Sequence, residues 1–71
     1  MNKPIYTLQK QVQDALMEDL EKIGYGIEVL DNNGIITLRG TVPTVAARDR
    51  AEEIVRNMDE VMSVINELDV V

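Results

Sequence analysis

The spacing of apolar residues divides this chain into segments with a helical or a strand-like period. Between residues 5 and 23 the apolar positions recur every three or four residues, at Leu8, Val12, Ala15, Leu16, Leu20 and Ile23. This spacing places them on one face of a helix. Pro4 suits the first turn, Glu18 and Lys22 are one turn apart, and Gly24 can adopt the left-handed conformation that ends a helix. The sequence therefore predicts a first helix over residues 5–23.

The next segment is typical of a β-hairpin. Asn33 and Gly34 suit the two positive-φ positions of a type I′ turn, and counting outward from them pairs Glu28 with Arg39 and Ile27 with Gly40. We predict strands over residues 26–32 and 35–42. Because side chains alternate between the two faces of a strand, one face is a core face and the other is polar in part. The core face carries Ile27, Val29, Ile36 and Leu38, and the opposite face carries Glu28, Leu30, Ile35, Thr37 and Arg39.

A second helix and a third strand complete the pattern. Pro43 disfavours a helical conformation for the residue before it, and Thr44 can serve as an N-cap, so a helix over residues 44–57 follows. Its apolar face consists of Val45 or Ala47, then Ala51, Ile54, Val55 and Met58, and its solvated face carries Arg48, Glu52 and Arg56. A strand is predicted over residues 61–70, with Val64, Asn66, Leu68 and Val70 on one side.

This α-β-β-α-β order predicts a single α+β domain over residues 1–71. Two amphipathic helices pack on one face of a three-stranded mixed sheet, giving a two-layer sandwich whose strand order stays open. Gly40 on the core face is interpreted as a packing glycine that lets a helix backbone approach or the strand bend. The polar run from Asp31 to Asn33 is explained by turn chemistry, and Asn66 by a bond to backbone at a sheet margin.

The composition argues against catalysis. The chain has 71 residues with no Cys and no His, and Ser63 is the one serine. It therefore lacks the usual ligands of zinc, haem and iron-sulfur clusters, and no histidine can activate a nucleophile. Its carboxylates and lysines do not group into a credible site. We expect a non-catalytic module with no cofactor, no metal and no catalytic residues.

The formal charge of −6 makes nucleic acid an unfavourable partner, because phosphate backbones are repelled. No apolar run approaches the 18 residues needed to span a bilayer, and the N-terminal residues lack the apolar core of a signal peptide. The sequence as given is therefore expected to contain neither a transmembrane segment nor a signal peptide. It does not determine the cellular compartment.

Several segments, taken in order, resemble the BON domain, a family named for bacterial osmotically induced and nodulation proteins. These are VQDALMEDL, IEVLDNNGIITLRGTVPT, AARDRAEEIVRNM and VMSVINELDV, which together cover nearly the whole chain. Many family members carry a glycine before the last strand, where this chain has Asp59 and Glu60. The resemblance implies a bacterial cell-envelope module, commonly periplasmic, that binds phospholipid surfaces or other envelope components and has no catalytic activity.

The sheet face opposite the helices is the candidate partner surface. The register places Leu30 and Ile35, together with Ile65, beside Glu28, Thr37 and Arg39. Scattered apolar exposure is the simpler interpretation, and a docking surface for a protein is the functional one. Self-association, as in the ring-building domains of secretion systems, is an alternative. Any membrane contact is expected to be weak and salt-sensitive, through a basic edge made of Lys3, Lys10, Arg48, Arg50 and Arg56.

Overall fold

The computed structural model describes residues 6–71, so the predictions for Pro4 and Ile5 lie outside the described part. Helix one begins later than predicted, because the Thr7 hydroxyl accepts the Lys10 N–H and Thr7 is the N-cap. Helix α1 spans Leu8–Leu20 and is followed by a 3₁₀ segment, Glu21–Gly26. Strands β1 (Ile27–Asn32) and β2 (Ile35–Val42), helix α2 (Val45–Arg56) and strand β3 (Ser63–Val70) complete the fold. The sheet order is β1-β2-β3, antiparallel between the first two strands and parallel between the last two. The predicted α+β class is confirmed.

The hairpin register is the one predicted from Asn33 and Gly34. Every pair from Ile27 with Gly40 to Asn32 with Ile35 is present. Asn33 has φ 52° and Gly34 has φ 91°, as a type I′ turn requires. The carboxylate of Asp31 accepts a hydrogen bond from the Gly34 N–H at 2.9 Å, which explains the acidic residue by turn chemistry.

The buried residues form one core between the helices and the sheet. The predicted core face of the hairpin is confirmed, because its four side chains are at most 2 % exposed. Ala47, and not Val45, faces the sheet from the first turn of α2, and Val45 is 52 % exposed. The core consists of Val12, Leu16, Ile27, Val29, Ile36, Leu38, Val42, Ala47, Ala51, Val55 and Leu68.

The predicted end of helix one at Gly24 is wrong. The α-helix ends at Leu20, and the left-handed residue is Glu21, with φ 53°. Gly24 has a different role: a Cβ there would lie 2.8 Å from Cα of Met17, so glycine allows the 3₁₀ segment to pack against the helix backbone. The predicted ion pair between Glu18 and Lys22 is absent from the described residues, because Lys22 lies beyond the helix end.

Helix α2 begins as predicted, because the Thr44 hydroxyl accepts the Ala47 N–H at 3.0 Å. Its solvated face forms one of the expected one-turn pairs, between Arg56 and Glu52. The other oxygen of Glu52 accepts the side-chain amide of Asn66, and Arg48 pairs with Asp49 instead.

The turn between α2 and β3 needs no glycine, although many members of the family that the sequence resembles carry one there. It is closed by a hydrogen bond from the Val61 N–H to the Met58 carbonyl at 3.0 Å. Within residues 6–71, positive φ values occur at Glu21, Asn33, Gly34 and Gly40 only. Asp59 and Glu60 therefore fit this turn without strain.

Strand β3 begins at Ser63, two residues later than predicted, and only part of its predicted inner face is buried. Leu68 is 5 % exposed, whereas Val70 is 38 % exposed because it lies at the end of an edge strand. Asn66 bonds to backbone, as predicted: its Nδ2 donates to the Arg48 carbonyl at 3.2 Å, and its Oδ1 accepts the Leu68 N–H at 3.1 Å.

Gly40 is a packing glycine, and its close neighbour is the backbone of the 3₁₀ segment, not that of α1 or α2. A Cβ at this position would lie 2.0 Å from the carbonyl oxygen of Gly26, the last residue of the 3₁₀ segment. Its φ of +127° is one that other residues rarely adopt. Glycine at position 40 therefore allows the 3₁₀ segment to pack closely against β2, the central strand of the sheet.

Candidate functional site

The candidate site is the face of the sheet that the helices leave uncovered, which we call the open face. It carries the alternate side chains of all three strands, in rows across the sheet. One row contains Leu30, Thr37 and Ile65, and the next towards the hairpin turn contains Asn32, Ile35 and Ser63. The row on the other side contains Glu28, Arg39 and Glu67. The structure thus brings the five predicted residues together on one surface.

The half of the open face nearest the hairpin turn, which we call the apolar half, carries three exposed apolar side chains beside Thr37, Asn32 and Ser63. Leu30 is 37 % exposed, Ile35 is 38 % exposed and Ile65 is 45 % exposed. Met62 lies beside the hairpin turn: it is 79 % exposed, and its backbone N–H donates to the Gly34 carbonyl at 2.8 Å. The apolar residues of the open face are therefore neighbours and not scattered positions.

The charged half of the open face has a different pairing from the predicted one. Arg39 lies opposite Glu28 in the register, but its Nε binds the Glu67 carboxylate at 2.9 Å. This hydrogen bond, with the nearby charge of Glu28, raises the pKa of the Arg39 guanidinium above its ordinary value. The sequence missed Glu67 because its contact with Arg39 depends on β3 lying next to β2.

The predicted basic edge is not present as a free positive surface. Lys3 lies outside the described residues, and the other four cations form ion pairs with carboxylates of the same domain. These pairs are Lys10 with Asp14, Arg48 with Asp49, Arg50 with Asp19 and Glu53, and Arg56 with Glu52. The described residues therefore offer little uncompensated positive charge to a phosphate-bearing surface.

The free edge of β1 is covered by two glutamine side chains of α1. Hydrogen-bonded positions alternate along an antiparallel pair, so the carbonyls of Ile27 and Val29 point away from β2. The Gln9 amide donates to the Val29 carbonyl at 2.8 Å, and the Gln13 amide donates to the Ile27 carbonyl at 3.1 Å. These two bonds occupy two of the outward-facing groups that an added strand would need.

The outer edge of β3 is partly covered in a similar way. The Val71 N–H donates to the Val42 carbonyl, so the backbone groups of odd-numbered residues in this segment face β2. Because the direction alternates along a strand, the N–H of Leu68 points outward. The Asn66 side chain accepts that N–H. Both edges therefore use side-chain amides to bond some of the groups that a neighbouring strand would bond, whereas the open face has no such cover.

Removing both glutamine amides should weaken the β1 edge. We expect the Gln9→Ala, Gln13→Ala double variant to lose about 1–3 kcal/mol of the free energy of unfolding, because two partly buried carbonyls lose their donors. Urea unfolding measures this loss. Gln11→Ala is the matched control, since its amide makes an exposed bond to the Tyr6 carbonyl, and it should change stability by less than about 0.5 kcal/mol. Equal losses in the two variants would contradict the edge role.

The remaining surface of residues 6–71 shows no arrangement of side chains suited to catalysis. The groove between the helices, about 420 Å³, is lined by Ala15, Glu18, Asp19, Arg50, Ile54 and Asn57, and Arg50 binds Asp19 across it. The hydrogen bond from Arg50 lowers the pKa of the Asp19 carboxyl. No group of three or more Asp, Glu, His or Cys residues in the described part could hold a metal ion. The described helices also include none with the length and apolarity needed to cross a membrane.

Comparison with known proteins agrees with the order and spacing of these elements. The model of the family described as "BON domain" matches residues 7–71, which is nearly the whole chain. A search of curated proteins found no match. The matched region includes both helices, all three strands and the open face. The chain therefore belongs to the BON domain family.

Proposed function

We propose that this BON domain is a non-catalytic binding module of the bacterial cell envelope, in the periplasm, and that it acts through protein contacts on the open face. The family match supports a binding module associated with the envelope. The observation that carries the choice of surface is the group of neighbouring exposed apolar side chains at Leu30, Ile35 and Ile65. A two-layer fold leaves this group without any cover from its own helices.

The charge distribution supports a protein partner over a phospholipid surface. Binding to anionic lipid gains from basic residues at the surface, and the cations of α1 and α2 are held in ion pairs here. Tyr6 and Tyr25 are the only aromatic residues, so Trp and Phe anchors for the interface are missing. Contact with phospholipid is accordingly weak and salt-sensitive in this proposal.

The test compares two substitutions of exposed β-branched residues by lysine. Ile35→Lys places a charge within the apolar half of the open face, whereas Val45→Lys places the same charge on α2, where Val45 is 52 % exposed. We expect Ile35→Lys to weaken capture of envelope proteins by the immobilised domain at least about tenfold, equivalent to roughly 1.4 kcal/mol. Val45→Lys should leave capture unchanged. Circular dichroism confirms that both variants fold.

Three results would contradict the proposal. Equal capture by the two variants would show that proteins bind elsewhere. Tight, salt-insensitive sedimentation with vesicles of neutral phospholipid would make a membrane the partner. The third result is self-association, which sedimentation of the isolated domain at several concentrations detects. An apparent molecular mass that rises with concentration, and that Ile35→Lys lowers, would assign the open face to self-association.

A further inference from the structure

The apolar half of the open face lies between a row that carries carboxylates and a turn that contains two acidic residues. On one side Glu28 and Glu67 form the next row of the sheet, and Asp69 lies beyond them on the same face. On the other side Asp59 and Glu60 lie in the turn beside the hairpin, where the Glu60 carbonyl oxygen is 3.4 Å from the Cβ position of Gly34. Along β1, Glu28 and Asn32 are four residues apart, so their two rows are separated by about 13 Å in the strand direction.

Almost no free positive charge accompanies these carboxylates. Arg39 is the one cation on the open face, and Glu67 already binds it. Within residues 6–71, Lys22 is the one Lys or Arg residue outside the ion pairs, and it lies in the 3₁₀ segment. Glu28, Asp59 and Glu60 are exposed and form no ion pair with any described residue. Negative charge therefore exceeds positive charge at both ends of the apolar half.

This arrangement selects among the candidate occupants. A second copy of the domain would bring the same carboxylates against its own, and like charges in contact oppose association. Phosphate groups of lipid or nucleic acid would be repelled in the same way. A protein segment with apolar residues at its centre and Lys or Arg at both ends would fill the apolar half and pair with the carboxylates on each side.

We propose that the open face binds a cationic protein segment whose apolar centre is flanked by basic residues about four to six positions apart. The spacing follows from the distance of about 13 Å between the carboxylate row and the hairpin end, which an extended peptide covers at about 3.3 Å per residue. This inference rests on the proposed function, because it names the partner chemistry of the same surface.

The experiment titrates two synthetic peptides into the isotope-labelled domain and follows its backbone amides by NMR. Both peptides have alternating Leu and Thr at the centre, with paired Lys at both ends in the first and paired Glu in the second. We expect the Lys peptide to shift the amides of Leu30, Thr37 and Ile65, and its Kd to rise at least about tenfold between ionic strengths of about 0.05 and 0.5 M. The Glu peptide should not bind.

Two double variants with equal net charge separate local complementarity from overall attraction. Glu28→Gln with Glu60→Gln removes one carboxylate on each side of the apolar half. This double variant should raise the Kd of the Lys peptide at least about threefold. Glu18→Gln with Glu21→Gln removes two exposed carboxylates from the helical side, and should leave Kd unchanged.

The outcomes distinguish this inference from the proposed function. Binding of the Glu peptide as tightly as the Lys peptide, with shifts on the open face, would overturn the charge selection and leave the docking surface intact. Equal weakening by the two double variants would also overturn it. Shifts confined to the helical side would contradict both proposals, and no binding of the Lys peptide at millimolar concentration would overturn the inference alone.

Discussion

Gly40→Ala should unfold the domain or leave it barely stable. The new Cβ would lie 2.0 Å from the Gly26 carbonyl oxygen, which is backbone and cannot rotate away, and the φ of +127° would be strained for alanine. We expect a loss of at least about 3 kcal/mol in the free energy of unfolding, from strain and steric overlap together. A domain of this size has roughly 4–10 kcal/mol in total. Urea unfolding followed by circular dichroism measures the change.

Thr41→Ala provides the control for Gly40→Ala, because it alters the next residue of the same strand at an exposed position. Its stability should change by less than about 0.5 kcal/mol. A cooperative unfolding curve for Gly40→Ala within about 1 kcal/mol of the unsubstituted protein would contradict the structure at the junction between the 3₁₀ segment and β2.

Leu16→Ala should lower the free energy of unfolding by about 3–5 kcal/mol, which is the second large effect that we expect. Leu16 is fully buried, at 0 % exposure, in the core between α1 and the sheet. Its truncation loses the transfer free energy of the side chain and leaves a cavity that two helices and a short sheet cannot close. Thermal and urea unfolding both report the change, and the lowered unfolding midpoint should come with an unchanged urea slope.

Leu30→Ala is the matched control, because the same substitution is made on the open face, where Leu30 is 37 % exposed. We expect a loss of about 1 kcal/mol or less there. Equal losses for Leu16→Ala and Leu30→Ala would mean that the open face is covered in solution, and the assignment of a free docking surface would then be wrong.

Several features that the sequence predicted correctly are determined by residues close together in the chain. Asn33 and Gly34 determine the turn, and the turn determines which residues pair across the hairpin. Thr44 caps α2 through an N–H three residues away. In each case the interacting groups lie within a few residues of each other, so the pattern alone was sufficient.

The predictions that failed depended on contacts between distant segments. Helix α1 ends at Leu20 because the following 3₁₀ segment turns back onto it, with Gly24 against the backbone of Met17. Arg39 binds Glu67 because β3 lies beside β2, an order that the sequence left open. The five residues of the candidate site were placed on one face by the hairpin register, whereas the surrounding carboxylates required the whole fold.

The hydrogen bonds from the Gln9 and Gln13 side chains to the edge of β1 affect how the domain behaves at high concentration. Exposed edge strands join readily into larger sheets when many copies of a protein are concentrated in one place. Copies of this domain brought together at high density would keep separate sheets, each with its own open face. Joined in an assembly, they would bind a repeated ligand through several independent contacts, and the combined affinity would then depend on the number and spacing of the copies.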